Sequence, residues 1–396
     1  MAVNALLTLL LLTQEPACTS RMRDRCVRAG GRAFSGGEAE LRLFPPDGRG
    51  WTAAPVTGAR GEALTFTRAS SRGCYPYKFA TTSGQGTYVD GGTPCVTPDG
   101  YRADPASTQL ALQSDTFTAS VWYRATIDAG NVGPFGTLGA ALILDGGLNQ
   151  VVTVGTASSL TLGCLARAGT GTAIRLTIDA GTSGSTGKNC VVNALPDDGG
   201  WTPATCSHTV SNPATVQVAC GIPDAGGGNV YVGAMGVWPL AHEGQYVRTT
   251  AASVAYNEDD LQVQNLSVLS TAQGCASATA VPLYDSATAV GLGLRGIVGI
   301  SAAGAALIIN LGEYRTTDDV NFARLQLPFG AVAKRVRSVW GSGLAITDGT
   351  ETGTATFDGT MGSSAATVSI GKLPGFSVFG GTIRDVQLSR RPGGCR

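Results

Sequence analysis

NVYVGAMGVWPLAHEGQYVRTTAASVAY, from Asn229 to Tyr256, begins as a period-two apolar run and ends in a polar tail rich in Thr and Ala. Alternation puts Val230, Val232, Ala234 and Trp238 on one face of a strand, with Tyr231, Met235 and Val237 on the other. Both faces are apolar, so the strand is expected to be covered on its outer side as well, by the N-terminal region, a second domain or another subunit. His242 and Glu243 follow Pro239 and are placed in an exit turn facing solvent, so the pair reads as loop residues and not as a catalytic dyad.

The rest of the chain repeats this pattern of short apolar runs and turns. Charged residues make up 14% of the 396 positions, against roughly 25% in ordinary globular proteins. With 56 glycines and 18 prolines, little material remains for long charged helices. LTIDAGTSGSTG, PDDGG, PDAGGG and TDGTETG read as tight connections. ALILDGG, VVTVGTASSLTLGCL and AIRLTI carry strand residues between them. RDVQLSR (Arg384–Arg390) alternates strictly, as a half-buried strand on a sandwich surface would. The class is all-β.

Lys+Arg and Asp+Glu balance at 28 each, which leaves no nucleic-acid footprint. Arginines concentrate between Arg21 and Arg72, as a basic arm for an acidic partner surface or as the residue of a compositional bias. Ala5 to Leu12 (ALLTLLLL) is too short to span a bilayer, no Lys or Arg precedes it and no A-x-A site follows. It is expected to dock on a protein partner.

Three regions follow: 1–100, an Arg-, Pro- and Gly-rich arm; 101–255, a first strand-rich unit; and 256–396, a second one after the acidic connection YNEDDLQVQN. Within that connection, Glu258, Asp259 and Asp260 read as a solvated linker.

Several segments resemble virion proteins of tailed bacteriophages, of the tail-fibre, appendage and decoration kind. LTFTRASS (Leu64–Ser71) with TYVDGGT (Thr87–Thr93), and DGYRADPASTQLALQSDTFTASVW (Asp99–Trp122), are similar to the family's lead into its first jelly roll. The opening stretch is similar to its closing strand, and FGGTIRDVQLSRRP to the last strand of a laminin-G-like domain. RGCYPYKFATTSGQG is an insertion between two of these motifs, and Val232 and the Gly236–Val237 pair replace the family's closing-strand Trp and Glu. The resemblance implies two antiparallel concanavalin A-like jelly rolls in tandem behind an irregular N-terminal arm. It implies a virion protein of tail or capsid, with host-surface polysaccharide as a candidate ligand and a homotrimer as the favoured assembly. A secreted lectin-like adhesin and a polysaccharide-degrading enzyme are the alternatives.

Sugar recognition needs aromatic faces with polar groups beside them. The candidates are Tyr75, Tyr77 and Phe79 in the cysteine-flanked insertion, Tyr123, and Trp201 after the turn at Asp197 and Asp198; Trp122 reads as core. No catalytic residue is assigned. His208 sits in a strand, and neither a G-x-S-x-G nor a P-loop sequence is present. No cofactor is expected, although Asp318 and Asp319 would either cap a turn or ligate calcium.

Ten cysteines with no C-x-x-C spacing point to disulfides and an extracellular or virion-surface location. The turn SNPA sets Cys206 opposite Cys220 on a hairpin. Cys275 and Cys395 bracket the second unit, and Cys74 and Cys95 clamp the aromatic insertion. Elimination leaves Cys18 with Cys26, and Cys164 with Cys190.

Overall fold

The computed structural model describes residues 40–395 apart from 45–63, 75–85, 98, 118–121, 137, 156–158, 180–186, 197, 211–214, 223–227, 265–269, 271, 285–293, 301–304, 311–312, 319, 328–332, 362–366 and 374–376. Every regular element among them is a strand. The described chain is all-β and forms two sandwiches.

In the first sandwich, eight strands form one hydrogen-bonded sheet, seven of them along a single path. Its order is Lys188–Val192, Ile174–Asp179, Thr215–Gly221, Leu138–Thr153, Val230–Trp238, Ser159–Ala168 and Thr202–Thr209, with Tyr123–Val132 also paired to Leu138–Thr153. The long strand belongs to both layers. Its start pairs with the closing strand (Ala140 with Gly233) and its end with Thr215–Gly221 (Thr153 with Thr215). The change of layer falls at Gly146 (φ 67°). There, a Cβ on Gly221 would lie 2.7 Å from the Gly146 carbonyl oxygen, so side chains are excluded by the close approach. The path curls until its two end strands meet across a core that includes Ile143, Leu162, Leu176, Val218, Val232 and Met235.

The second sandwich has two sheets. One runs Thr352–Ala355, Leu344–Thr347, Lys334–Trp340, Gly274–Pro282, Gly381–Ser389, Gly100–Ala103 and Val96–Thr97. The facing sheet runs Leu64–Thr67, Asp260–Gln264, Thr367–Ile370, Arg295–Gly299, Ala305–Asn310, Glu313–Thr317 and Phe322–Leu325. Their inner faces enclose a core holding Trp340, Ile383, Tyr314 and Phe379.

The expected boundary at residue 100 is replaced by an interleaved arrangement. Glu40–Leu43 pairs with the last strand (Leu41 with Leu388), and Leu64–Thr67 pairs with Asp260–Gln264 (Phe66 with Leu261). Strands of region 1–100 therefore enter the C-terminal sandwich, and Leu43 and Phe44 join its core. The apolar residues of this Arg-rich region are too few for a core of their own, and pairing with a distant sheet edge satisfies both their side chains and their backbone.

Two strand readings change. The Arg384–Arg390 stretch lies in a central strand, with Asp385 and Gln387 buried as well as Val386 and Leu388. Its polar face is covered from two directions: Cys395, near the chain end, has its Sγ 3.7 Å from the Gln387 carbonyl, and Arg335 of the Lys334–Trp340 strand pairs with Asp385. In the closing strand the alternation is interrupted. Ala234 takes φ 52°, and the pairing with Ser159–Ala168 slips between Gly163 and Leu165. One extra residue reverses the faces beyond it. Val230, Val232, Met235 and Val237 point into the core, while Ala234 and Trp238 pack outside it.

Three disulfides are present among the described residues: Cys74–Cys95, Cys190–Cys206 and Cys275–Cys395. Cys206 does not face Cys220 on a hairpin. Thr202–Thr209 pairs with Ser159–Ala168, whereas Thr215–Gly221 pairs with Ile174–Asp179 and Leu138–Thr153. Consecutive strands here cross between layers, so sequence neighbours do not become bonded neighbours. Cys190 is bridged to Cys206 and not to Cys164, and Cys18 and Cys26 lie outside the described residues. Three bridges fit an oxidising compartment. No helix among the described residues is long and apolar enough to cross a membrane.

Candidate functional site

The outer face of the first sandwich carries an aromatic patch, assembled across three strands. Arg167 pairs with Tyr231 in the neighbouring strand, and the same central strand pairs Ala166 with Thr202 on its other side. Register thus sets Tyr231, Arg167 and Trp201 in one row. The Arg167 guanidinium lies 4.0 Å from the Tyr231 ring centroid and 5.1 Å from that of Trp201. One step along, Leu165, Ala234 and Tyr246 form the floor, with Tyr88 and Phe135 packed against it. Phe135 stacks on Tyr246 at 5.5 Å, and Tyr88 meets Phe135 edge-on at 5.8 Å. Trp238 covers the next rows: a Cβ on Gly236 would fall 2.1 Å from its ring, so only glycine fits beneath it.

The cover expected for the closing strand comes from this chain. The exit segment contributes Tyr246, Val247 and Tyr256, and the hairpin of Arg72–Cys74 with Thr87–Val89 leans on it through Gly73 N–H to Tyr246 O at 2.9 Å. The insertion holding Tyr75, Tyr77 and Phe79 leaves from that hairpin. Those three residues lie outside the described ones, but both flanks of the insertion are anchored at the patch. Cys74 is bridged to Cys95, and Gly86 N–H donates to Pro134 O at 2.8 Å, next to Phe135.

Trp201 is buried at 6% exposure, with Arg167 across its ring, so it lacks the open surface assigned to it from the sequence. Tyr123 pairs through its backbone with Asn149, and its side chain lies outside the described residues. Trp122 is core, and its Nε1–H donates to the Leu112 carbonyl at 3.1 Å. Sequence reasoning missed Arg167. The signal available was its position two residues after Leu165 in the run LARA, on the same outward face. Among the described residues no carboxylate is ion-paired with Arg167, whereas most buried arginines here have one.

A second polar cluster joins the two sandwiches, and it corrects three expectations. Asp259 is buried instead of solvated: Arg68 Nη1 reaches Oδ1 at 3.0 Å and Arg72 Nη1 reaches Oδ2 at 2.7 Å. Gln245 Nε2 and the Asp104 N–H each donate to Oδ2 at 3.0 Å. Arg102 pairs with Asp104 at 2.9 Å and donates to the Gly244 carbonyl at 2.8 Å. Arg68 and Arg72 are therefore ligands of an internal carboxylate, not part of a free basic arm. Glu258 and Asp260 flank the cluster, paired with Lys372 at 2.6 and 3.6 Å.

His242 and Glu243 are buried at the same junction and do not project into solvent. His242 Nδ1 lies 3.0 Å from the Glu243 carbonyl, and its ring packs 5.7 Å from Tyr284. Burial, opposed by the Glu243 carbonyl and reinforced by Arg295 and Arg102, brings the His242 pKa down to about 4. The unfolded chain then binds the proton more tightly, so stability is full above about pH 6.5 and falls as pH drops toward 4, by roughly 3 kcal/mol. Denaturant midpoints measured from pH 7 to 4 should fall more steeply in the native chain than in His242→Gln. Parallel curves would show that the imidazole does not titrate in this window.

Asp318 caps a turn. Its Oδ1 accepts from the Asn321 N–H at 2.6 Å and the Val320 N–H at 3.1 Å, and its Oδ2 from the Asp358 N–H at 2.9 Å. Burial opposes its charge, but these donors outweigh it and hold the carboxyl below its usual range. Asp319 lies outside the described residues, and among those described no group of three or more His, Cys, Asp or Glu is arranged to hold a metal. His208 sits in the Thr202–Thr209 strand, partly exposed.

No family model matches this chain, and no curated protein does. Among solved structures it is similar to the N-terminal CBM22-1–CBM22-2 tandem domain of Xyn10C from Paenibacillus barcinonensis, at 8% identity over 73% of this chain and 98% of that one. The TM-score is 0.27.

Proposed function

We propose that this chain is an extracellular adhesive protein that binds acidic polysaccharide through the outer face of its first sandwich. The carrying observation is Arg167, whose guanidinium lies over the rings of both Tyr231 and Trp201 without a carboxylate partner among the described residues. A guanidinium in that setting is preorganised, and its in-plane donors match a carboxylate or sulfate. The rings limit its freedom without neutralising it. Trp201 acts here as support for the arginine, and contact with the sugar ring falls to Tyr231 and to the insertion carrying Tyr75, Tyr77 and Phe79.

The finer reading, a bacteriophage tail-fibre, appendage or decoration protein, is supported by the sequence motifs at Leu64–Ser71, Thr87–Thr93 and Asp99–Trp122. A trimer rests on the same resemblance and on the apolar run at Ala5–Leu12; the closing strand no longer argues for it, since the chain covers its own outer face. Labelled antibody against the chain should decorate phage particles in electron micrographs. Label only on free, secreted protein would favour the lectin-like alternative, and shortening of the glycan would favour the enzyme.

Binding to immobilised uronic-acid or sulfated polysaccharide should weaken tenfold or more in Arg167→Gln, the loss of one charge-assisted pair worth about 1.5–3 kcal/mol. It should also weaken with added salt. Equal binding by native and variant chains, or a preference for neutral polymer, would overturn the reading.

A further inference from the structure

Two cysteines of the first sandwich, Cys164 and Cys220, have no bridge, and both are buried. Their Sγ atoms lie 3.4 Å apart across the core. Cys164 is in Ser159–Ala168 and Cys220 in Thr215–Gly221, strands of opposite layers. The Cys190–Cys206 bridge joins the same layers further out, two strands away from Cys220 on one side and one strand away from Cys164 on the other. Leu176 stands between Cys190 and Cys220 in one layer, pairing with both. In the other, Cys206 pairs with Leu162, two residues from Cys164 in the same strand and on the same inward face. Both cysteine pairs thus span the two layers through one core.

We propose that Cys164 and Cys220 form a fourth disulfide in the mature protein, a second staple between the layers of the first sandwich. This inference is independent of the glycan-binding reading. Two thiols in contact, with no other cysteine on their strands, need only a small side-chain movement to bond. The chemistry is exchange with an external disulfide, a small-molecule one or that of a thiol oxidase. One cysteine thiolate attacks it and expels a thiolate; the second then attacks the mixed disulfide and expels the other. Two protein thiols are oxidised, one external disulfide is reduced to two thiols, and the two protons pass to those products. Burial pushes the Cys220 thiol up, so exchange is faster when local opening admits solvent to the two sulfurs than in the closed sandwich.

The test is peptide mapping of the full chain, denatured in the presence of an alkylating reagent and without reductant. The expected product is a cross-linked pair of peptides carrying Cys164 and Cys220, beside the Cys190–Cys206 pair. Alkylation of both thiols would overturn the proposal, as would Cys164–Cys190 with Cys206–Cys220. A thermal comparison reads the same bond in the folded protein. With a bridge, Cys164→Ala, Cys220→Ala and the double variant should lower the unfolding midpoint by nearly the same amount. Losses that add from singles to double would overturn it.

Discussion

Asp259→Ala is expected to be among the most damaging single substitutions in the chain, at about 3–5 kcal/mol, because it removes one partner of a buried ion cluster. The guanidiniums of Arg68 and Arg72 would remain at 1% exposure or less without the carboxylate they share. The Asp104 N–H and Gln245 side chain would lose the same acceptor. Asp259→Asn should cost less, since the amide oxygen still accepts. Urea midpoints of the two variants provide the check. A loss below about 1 kcal/mol for Asp259→Ala would mean that water reaches the cluster, as at an ordinary surface pair. Gln245 and Gly244 belong to the segment that also presents Tyr246 to the aromatic patch. The alanine variant should therefore weaken polysaccharide binding in addition to stability.

Removing the Cys275–Cys395 bridge should cost about as much, by a different route. The bond spans 120 residues, and the chain-entropy relation puts such a loop near 4–5 kcal/mol. The Cys74–Cys95 bond spans 21, and the same relation makes its removal cheaper by about 1.5 kcal/mol. In Cys275→Ala/Cys395→Ala the last residues are also freed from the sheet they cover, because Arg337 holds the Cys395 carbonyl at 3.2 Å and Cys395 N–H meets Cys275 Sγ at 2.9 Å. Hydrogen exchange at Gln387 and Ser389 should rise in that variant and stay unchanged in Cys74→Ala/Cys95→Ala. The reverse order of midpoints would show that strain or residual structure outweighs loop entropy.

Local chemistry was legible from the sequence. Glycine-rich turns between short apolar runs specify strands, and the run Val230 to Trp238, apolar on both faces, is buried on both faces. The pairings Cys74–Cys95 and Cys275–Cys395 could be read because each joins the flanks of a recognisable unit. Tertiary structure decided what depends on distant partners. An acid in a polar stretch looks solvated until two arginines 187 and 191 residues away are placed on it, as at Asp259. Alternation assigns faces only while the register is unbroken, so the bulge at Ala234 turned Trp238 outward with no mark in the hydrophobic pattern. Cys206 found Cys190 because its strand crosses to the other layer, and Arg167 became a candidate ligand group only when register set Tyr231 and Trp201 on either side of it. Strand propensity and turns act over a few residues; which strands become neighbours is settled by how two layers share a core, and short sequence windows do not carry that information.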